Sequence, residues 1–176
     1  MRRLIGWSGT VAVVGLLVLA VAAWGDDEKK AGQKKDAPKA QKIALDKVPP
    51  KIMSAVKARF PGAELTSVEK ETEDGKVVFD IELKHQGRKY EMDIQEDGTI
   101  IEIEKQVDAK DLPEAVGKAI KAKFPDALIK EIMEVNKVNE NKETPDHYEV
   151  IMVDKDKKEK EVTVSLDGKT INAEKK

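Results

Sequence analysis

Cysteine is absent from all 176 residues, which excludes a disulfide framework, a thiolate metal site and a lipid-modified cysteine at an export signal. Histidine occurs only at 85 and 147, and neither lies in an HExxH spacing. No serine sits in a G-x-S-x-G elbow and no glycine-rich phosphate loop is present, so the chemistry a hydrolase needs is missing. Aromatics make up 4% of the chain, so its core must be built from aliphatic side chains and methionine. No charge sign dominates either. Lys plus Arg number 32 against 34 Asp plus Glu, a balance without the basic footprint of a nucleic-acid binder. The expectation is a non-enzymatic chain without cofactor, metal or nucleic-acid partner.

What the sequence does have begins with an export pattern. Arg2 and Arg3 precede an apolar run, Leu4 to Trp24, whose end is rich in small residues before Asp26-Asp27-Glu28. That order is the order of a secretory signal peptide over residues 1–25, with cleavage sites after Ala23 or Gly25. The run is also 21 residues long, and about 20 can span a bilayer, so an uncleaved anchor is the alternative membrane attachment. Either route places the remainder in the periplasm or outside the cell. Residues 26–45 are expected to be a disordered charged tether, because Asp26 to Lys42 contains no large apolar side chain to offset the entropy of ordering.

A duplication organises the rest. Leu112 to Ala127 repeats Val48 to Ala63 at a displacement of 64 positions, with seven of sixteen residues identical, including Phe60-Pro61 and Phe124-Pro125. In each copy apolar residues fall at helical spacing: Ile52, Met53, Val56 and Phe60, then Val116, Ala119, Ile120 and Phe124. Pro61 and Pro125 disfavour helix at the preceding phenylalanine and should end each helix there. Asp111 and Glu114 resemble a capping box for the second. Period-two runs follow: Val77 to Leu83, Tyr90 to Ile94 and Ile101 to Ile103, then Tyr148 to Met152, Val162 to Leu166 and Ile171 to Ala173. Asp74-Gly75, Gln86-Gly87, Asp97-Gly98 and Asp167-Gly168 supply hairpin turns. Residues 136–147 and the charge run 154–160 are expected to be solvated hairpin loops.

The expected fold is α+β: two tandem repeats, 46–107 and 108–176, each one helix followed by a four-stranded antiparallel meander, with the helices on one face of the sheet. Units of about 60 residues bury only about 60% of their unfolded surface, so the halves are expected to share a sheet or pack tightly.

The pattern Pro-x-x-apolar-x-x-Ala-apolar-x-x-x-Phe-Pro-x-Ala, followed by alternating strands and an Asp-Gly hairpin, resembles the PepSY-like, β-lactamase-inhibitor-like family in two tandem copies. The resemblance implies an extracytoplasmic, non-catalytic module, and in some relatives the binding or inhibition of secreted enzymes. Inhibitors of this architecture present an aromatic-rich sheet face. The outward positions here are mostly Asp, Glu, Lys and Thr, which argues against β-lactamase inhibition itself.

Strand parity nominates two surfaces. The first half turns Asp80, Glu82, Glu91, Asp93, Glu102 and Glu104 away from the helix, an acidic face relieved by Lys84. The second half turns out Ile151, Val153, Thr163 and Ser165, a small apolar patch with hydroxyls that an unknown extracytoplasmic protein partner could cover cheaply. The alternative to a binding module is a structural or cation-buffering envelope module using the acidic face. Asp93-x-x-x-Asp97-Gly98 and Asp154-x-Asp156 do not complete a calcium loop, which needs a terminal glutamate.

Overall fold

Antiparallel hairpins joined in sequence order account for most of the described residues. The computed structural model describes residues 40–73 and 75–173. The strands are β1 (Gln41–Lys42), β2 (Glu64–Glu73), β3 (Lys76–His85), β4 (Arg88–Gln95), β5 (Ile100–Gln106), β6 (Leu128–Asn139), β7 (Lys142–Val153), β8 (Glu159–Ser165) and β9 (Ile171–Ala173). Two helices, α1 (Pro50–Arg59) and α2 (Glu114–Lys123), precede β2 and β6. All nine strands pair in the order β1 to β9 in one antiparallel sheet.

This corrects the expectation of two tandem helix-plus-four-strand meanders. The described residues form mostly one nine-stranded sheet with two short helices, and no boundary interrupts it. The join is β5 on β6, where Glu102 faces Lys137, Glu104 faces Val135 and Gln106 faces Met133. An exposed edge on β5 would be a template for aggregation, and pairing with β6 removes it. The sheet also gains β1, which pairs Gln41 with Lys70 and Lys42 with Glu69. Residues 41–45, read as the end of a tether, are therefore drawn into the fold. The proposed signal peptide and the tether up to residue 39 lie outside the described residues.

Two other expectations change. Residues 136–147 are not a solvated loop. They continue β6 and β7 to a tight turn at Glu140-Asn141, both at positive φ, with Val138 opposite Glu143 and Asn139 opposite Lys142. The asparagine tolerates this left-handed geometry better than most residues. No capping box forms at Asp111 either. That residue ends a short 3-10 turn (Ala109–Asp111), and Pro113 is the N-cap of α2 without a side-chain bond. Both helices stop before Phe60 and Phe124, whose amides still donate to Val56 and Ile120.

Core packing fixes which face the helices cover. Ile52 and Val56 of α1 pack with Val68, Phe79, Ile81, Leu83, Met92, Ile94 and Ile103. Val116 and Ile120 of α2 pack with Ile132, Tyr148, Val150, Met152, Val162 and Val164. Ile132 belongs to the second cluster and Val138 packs on the first. Both lie on the same side of β6, so both helices cover the same face of the sheet. Phe60 and Phe124, the repeated residues at which the two helices end, are each half-buried. Among the described residues Phe60 joins an aromatic group, 4.6 Å from Tyr90 and 5.4 Å from His85 between ring centres.

The hairpin glycines differ in what surrounds them. Gly168 has φ +70°, and a Cβ there would lie 2.6 Å from the Ala115 carbonyl oxygen at the start of α2. Gly87 has φ +80° but open space around it. Gly87→Ala should cost about 1 kcal/mol from left-handed strain alone. Gly168→Ala should cost clearly more, because backbone must move, and urea melts of the two variants compare them directly.

Candidate functional site: the helix-free sheet face

Alternation puts the other half of every strand on the face that neither helix covers among the described residues. Across that face Asp80 lies opposite Asp93, Asp93 opposite Glu102, Glu82 opposite Glu91, and Glu91 opposite Glu104. Like charges in direct register destabilise a sheet. They are also poorly solvated: Asp93, Glu102 and Glu104 are buried, Glu104 to 3% exposure, while Asp80, Glu82 and Glu91 are half-buried.

Burial and crowding raise the pKa of several of these carboxyls and disfavour their ionisation. Glu104 is pushed up to about 10 by burial, then by Glu149, Glu91, Glu102 and Asp93. Asp80 is pushed up to about 8 by burial, then by Glu91 and Glu82, and its Oδ1 is buried without a hydrogen-bond partner. Glu91 and Glu102 are also raised, because burial outweighs the lysine each contacts. Those lysines are Lys89, with Nζ 2.7 Å from Glu91 and 3.4 Å from Glu131, and Lys137, which pairs with Glu102.

The second nominated surface adjoins the first. Val135 lies opposite both Glu104 and His147, and His147 lies opposite Ser165. Met133 lies opposite Glu149, Glu149 opposite Thr163, and Ile151 opposite Glu161. Ile151, Val153, Thr163 and Ser165 are all half-buried. The acidic array and the apolar-hydroxyl patch, nominated on separate halves, therefore form one surface. Sequence reading missed its centre: Glu131, Glu149, Lys89, Lys137 and His147. The parity of β6 and β7 would have revealed the last two, had residues 136–147 been read as strand.

His147 and Ser165 stand side by side, yet the geometry is not that of a base activating a nucleophile. Nδ1 of His147 is 2.9 Å from Asp146 and Nε2 is 3.2 Å from Glu149, so carboxylates occupy both ring nitrogens. Burial works to lower its pKa, but those hydrogen bonds carry it upward and favour the doubly protonated ring. The Ser165 hydroxyl donates to Asp167 at 2.7 Å and is committed to the 165–170 turn. His85, at the end of β3, packs against Phe60. Among the described residues no group of three acidic or histidine side chains is gathered as a metal ion requires. Asp97, Asp154 and Asp167 instead accept backbone amides in their own turns, from Thr99, Asp156 and Lys169.

The pattern of the family described as "Putative beta-lactamase-inhibitor-like, PepSY-like" matches residues 29–102 and again 85–172. The chain belongs to the PepSY-like family. Three solved structures share the fold. A BLIP-like protein from Bacteroides fragilis is 18% identical, with a TM-score of 0.51 over 72% of this chain and 86% of its own. A DUF2874 family protein from Bacteroides uniformis is 13% identical, with a TM-score of 0.53 over 71% and 88%. A protein from Bacteroides eggerthii described as periplasmic is 14% identical, with a TM-score of 0.54 over 71% and 88%. No curated protein matches the sequence. At these identities the likeness to the solved structures is one of fold.

Proposed function

We propose that this PepSY-like chain is an exported, non-enzymatic binding module whose helix-free sheet face takes another extracytoplasmic protein. The observation that carries the reading is the continuity of that face. An array of carboxylates runs without a break into Ile151, Val153, Thr163 and Ser165, giving the charged and apolar parts that protein interfaces combine. The signal-like N-terminus, together with the description of a fold relative as periplasmic, supports a periplasmic or secreted location. The commitment of His147 and Ser165 to other partners supports a role without catalysis.

Changing Ile151 and Val153 together to threonine tests the reading, since threonine keeps strand propensity while removing apolar area. The expected result is loss of a stoichiometric partner recovered by the parent protein from envelope extract, with unchanged melting. A fall in melting temperature would make the two residues structural. Retention of the partner would move its site elsewhere. A second reading, an envelope module that buffers cations, is favoured by the buried carboxyl of Glu104 and the buried Oδ1 of Asp80. It predicts only diffuse, salt-sensitive association in the same experiment.

A further inference from the structure

Two lysines of the chain show how this face accommodates a cation. Lys89 spans Glu91, Glu131 and Glu82, the last at 3.8 Å, and Lys137 pairs with Glu102. Between them lies Glu104, opposite Glu91 on one side and Val135 on the other. It is 3% exposed, and the charges that bear on it, from Glu149, Glu91, Glu102 and Asp93, are all acidic. Asp80 Oδ1, on the same face, is buried without a hydrogen-bond partner among the described residues. Native folds rarely leave buried polar groups unmatched, and the ones they do leave call for an explanation. Neither α1 nor α2 lies over Glu104, and the lysines on its face are long and flexible.

A single metal ion fits poorly, because the acids are spread over several strands and no three of them converge. Adjacent strands are about 4.8 Å apart, and side chains two residues apart along one strand are separated by about 6.8 Å. An extended segment repeats its side chains at that same longer spacing, so a basic one can meet several of these carboxylates. The adjoining Ile151, Val153, Thr163 and Ser165 would be covered by a polypeptide but left bare by a free polyamine.

We propose that Glu104, together with Asp80 and Glu91, receives a lysine or arginine side chain from a basic polypeptide laid across the helix-free face. This rests on the reading of that face as a binding surface and adds the chemistry of the partner. The cation should allow buried carboxyls to ionise, so binding releases protons. Glu104 is faced by Lys89, Glu91 and Asp93 from β4 and by Lys137 from β6. His147 and Glu149 face it from β7, and Glu102 lies beside it on β5. Asp80 and Glu82 lie beyond them on β3. A charge-neutral or acid-releasing site of this kind binds tighter as pH rises, by up to about tenfold per pH unit for each proton released.

Calorimetry of the full chain tests this with a short capped peptide alternating lysine and threonine, in two buffers of different ionisation heat. The expected result is saturable binding with proton release and affinity rising between about pH 6 and about pH 8. A twin peptide carrying glutamine for lysine should not bind, and Glu104→Gln or Asp80→Asn should weaken the lysine peptide about tenfold or more. Unchanged affinity in both variants, or binding without proton release, overturns the proposal. So does spermine or calcium binding as tightly as the peptide, which would make the ligand a free polyamine or a metal ion. Failure of the peptide alone, while the Ile151 and Val153 double variant still loses an envelope partner, discards the basic-partner chemistry and leaves the face. Failure of both discards the face.

Discussion

Lowering the pH from about 8 to about 5 should raise the melting temperature of this protein, the reverse of common acid denaturation. Asp80 titrates at about 8 in the fold against 3.8 as an isolated group, and Glu104 at about 10 against 4.5. A raised carboxyl binds its proton more tightly in the folded state. Its stabilising contribution is full below the unfolded value and is lost as pH climbs toward the folded one. For both groups the interval from 5 to 8 lies inside that window. Each contributes at most about 1.4 kcal/mol per pH unit, so the expected change is on the order of a few kcal/mol. Glu91 and Glu102 are raised and act in the same direction. His147, also raised, contributes stability below its unfolded value that is lost as pH rises through its folded one. The opposing groups are Asp97, Asp154 and Asp167, which are lowered, Asp167 to about 2. Their contribution is lost only as pH falls below the ordinary carboxylate range, so stability should peak near the acid end of the interval. Glu104→Gln keeps the shape, removes the ionisation, and should raise the melting temperature at pH 8 while changing little at pH 5. A flat profile, or a variant less stable than the parent at pH 8, would mean that the carboxyl is solvated or paired.

How much of this was legible in the sequence depends on which physical signal each feature leaves. Alternation is local, so the period-two pattern alone puts the six acids from Asp80 to Glu104 on one face. The helix ends at Phe60 and Phe124 were equally legible, because the following proline acts on its immediate neighbour. The raised pKa of Glu104 was not, because it needs burial under the assembled face and the charges of Glu149 on β7 and Glu91 on β4, brought in from other strands. The single sheet was hidden for a similar reason. Residues 136–147 carry Asn, Lys, Glu, Pro and Asp, the composition of a loop, and they are held extended by pairing with each other across the β6–β7 hairpin, with Asn136 and Lys137 also paired to β5. Reading that stretch as a loop separated the acidic face from the Ile151 patch. Restoring it as strand joined them.

Ile81→Ala should destabilise the whole described sheet, not the first half alone. Ile81 is fully buried under α1, among Ile52, Leu83 and Met92, which are also fully buried. Removing its side chain beyond Cβ should cost about 2–5 kcal/mol, the lost transfer energy plus the cavity left behind. That loss reaches the second half through several connections. β5 and β6 share a ladder from Glu102–Lys137 to Gln106–Met133. Val138, on β6, packs against the first core. Arg59 of α1 pairs with Glu143 of β7, and Glu131 of β6 takes both Lys89 and Gln106 of the first half. Parting the halves would expose the edge of β5 and leave Glu102 without Lys137, an unpaired carboxylate on a newly opened strand. Each half alone is near the size at which a core barely offsets chain entropy. Hydrogen exchange read by mass spectrometry should therefore show protection in β3 and β7 falling by similar amounts in the Ile81→Ala protein. Val150→Ala, at the fully buried centre of the second core, should show the same from the other side, with a smaller loss for the smaller side chain. If β3 loses protection while β7 keeps it, the two cores fold independently and the β5–β6 ladder is only a contact between them.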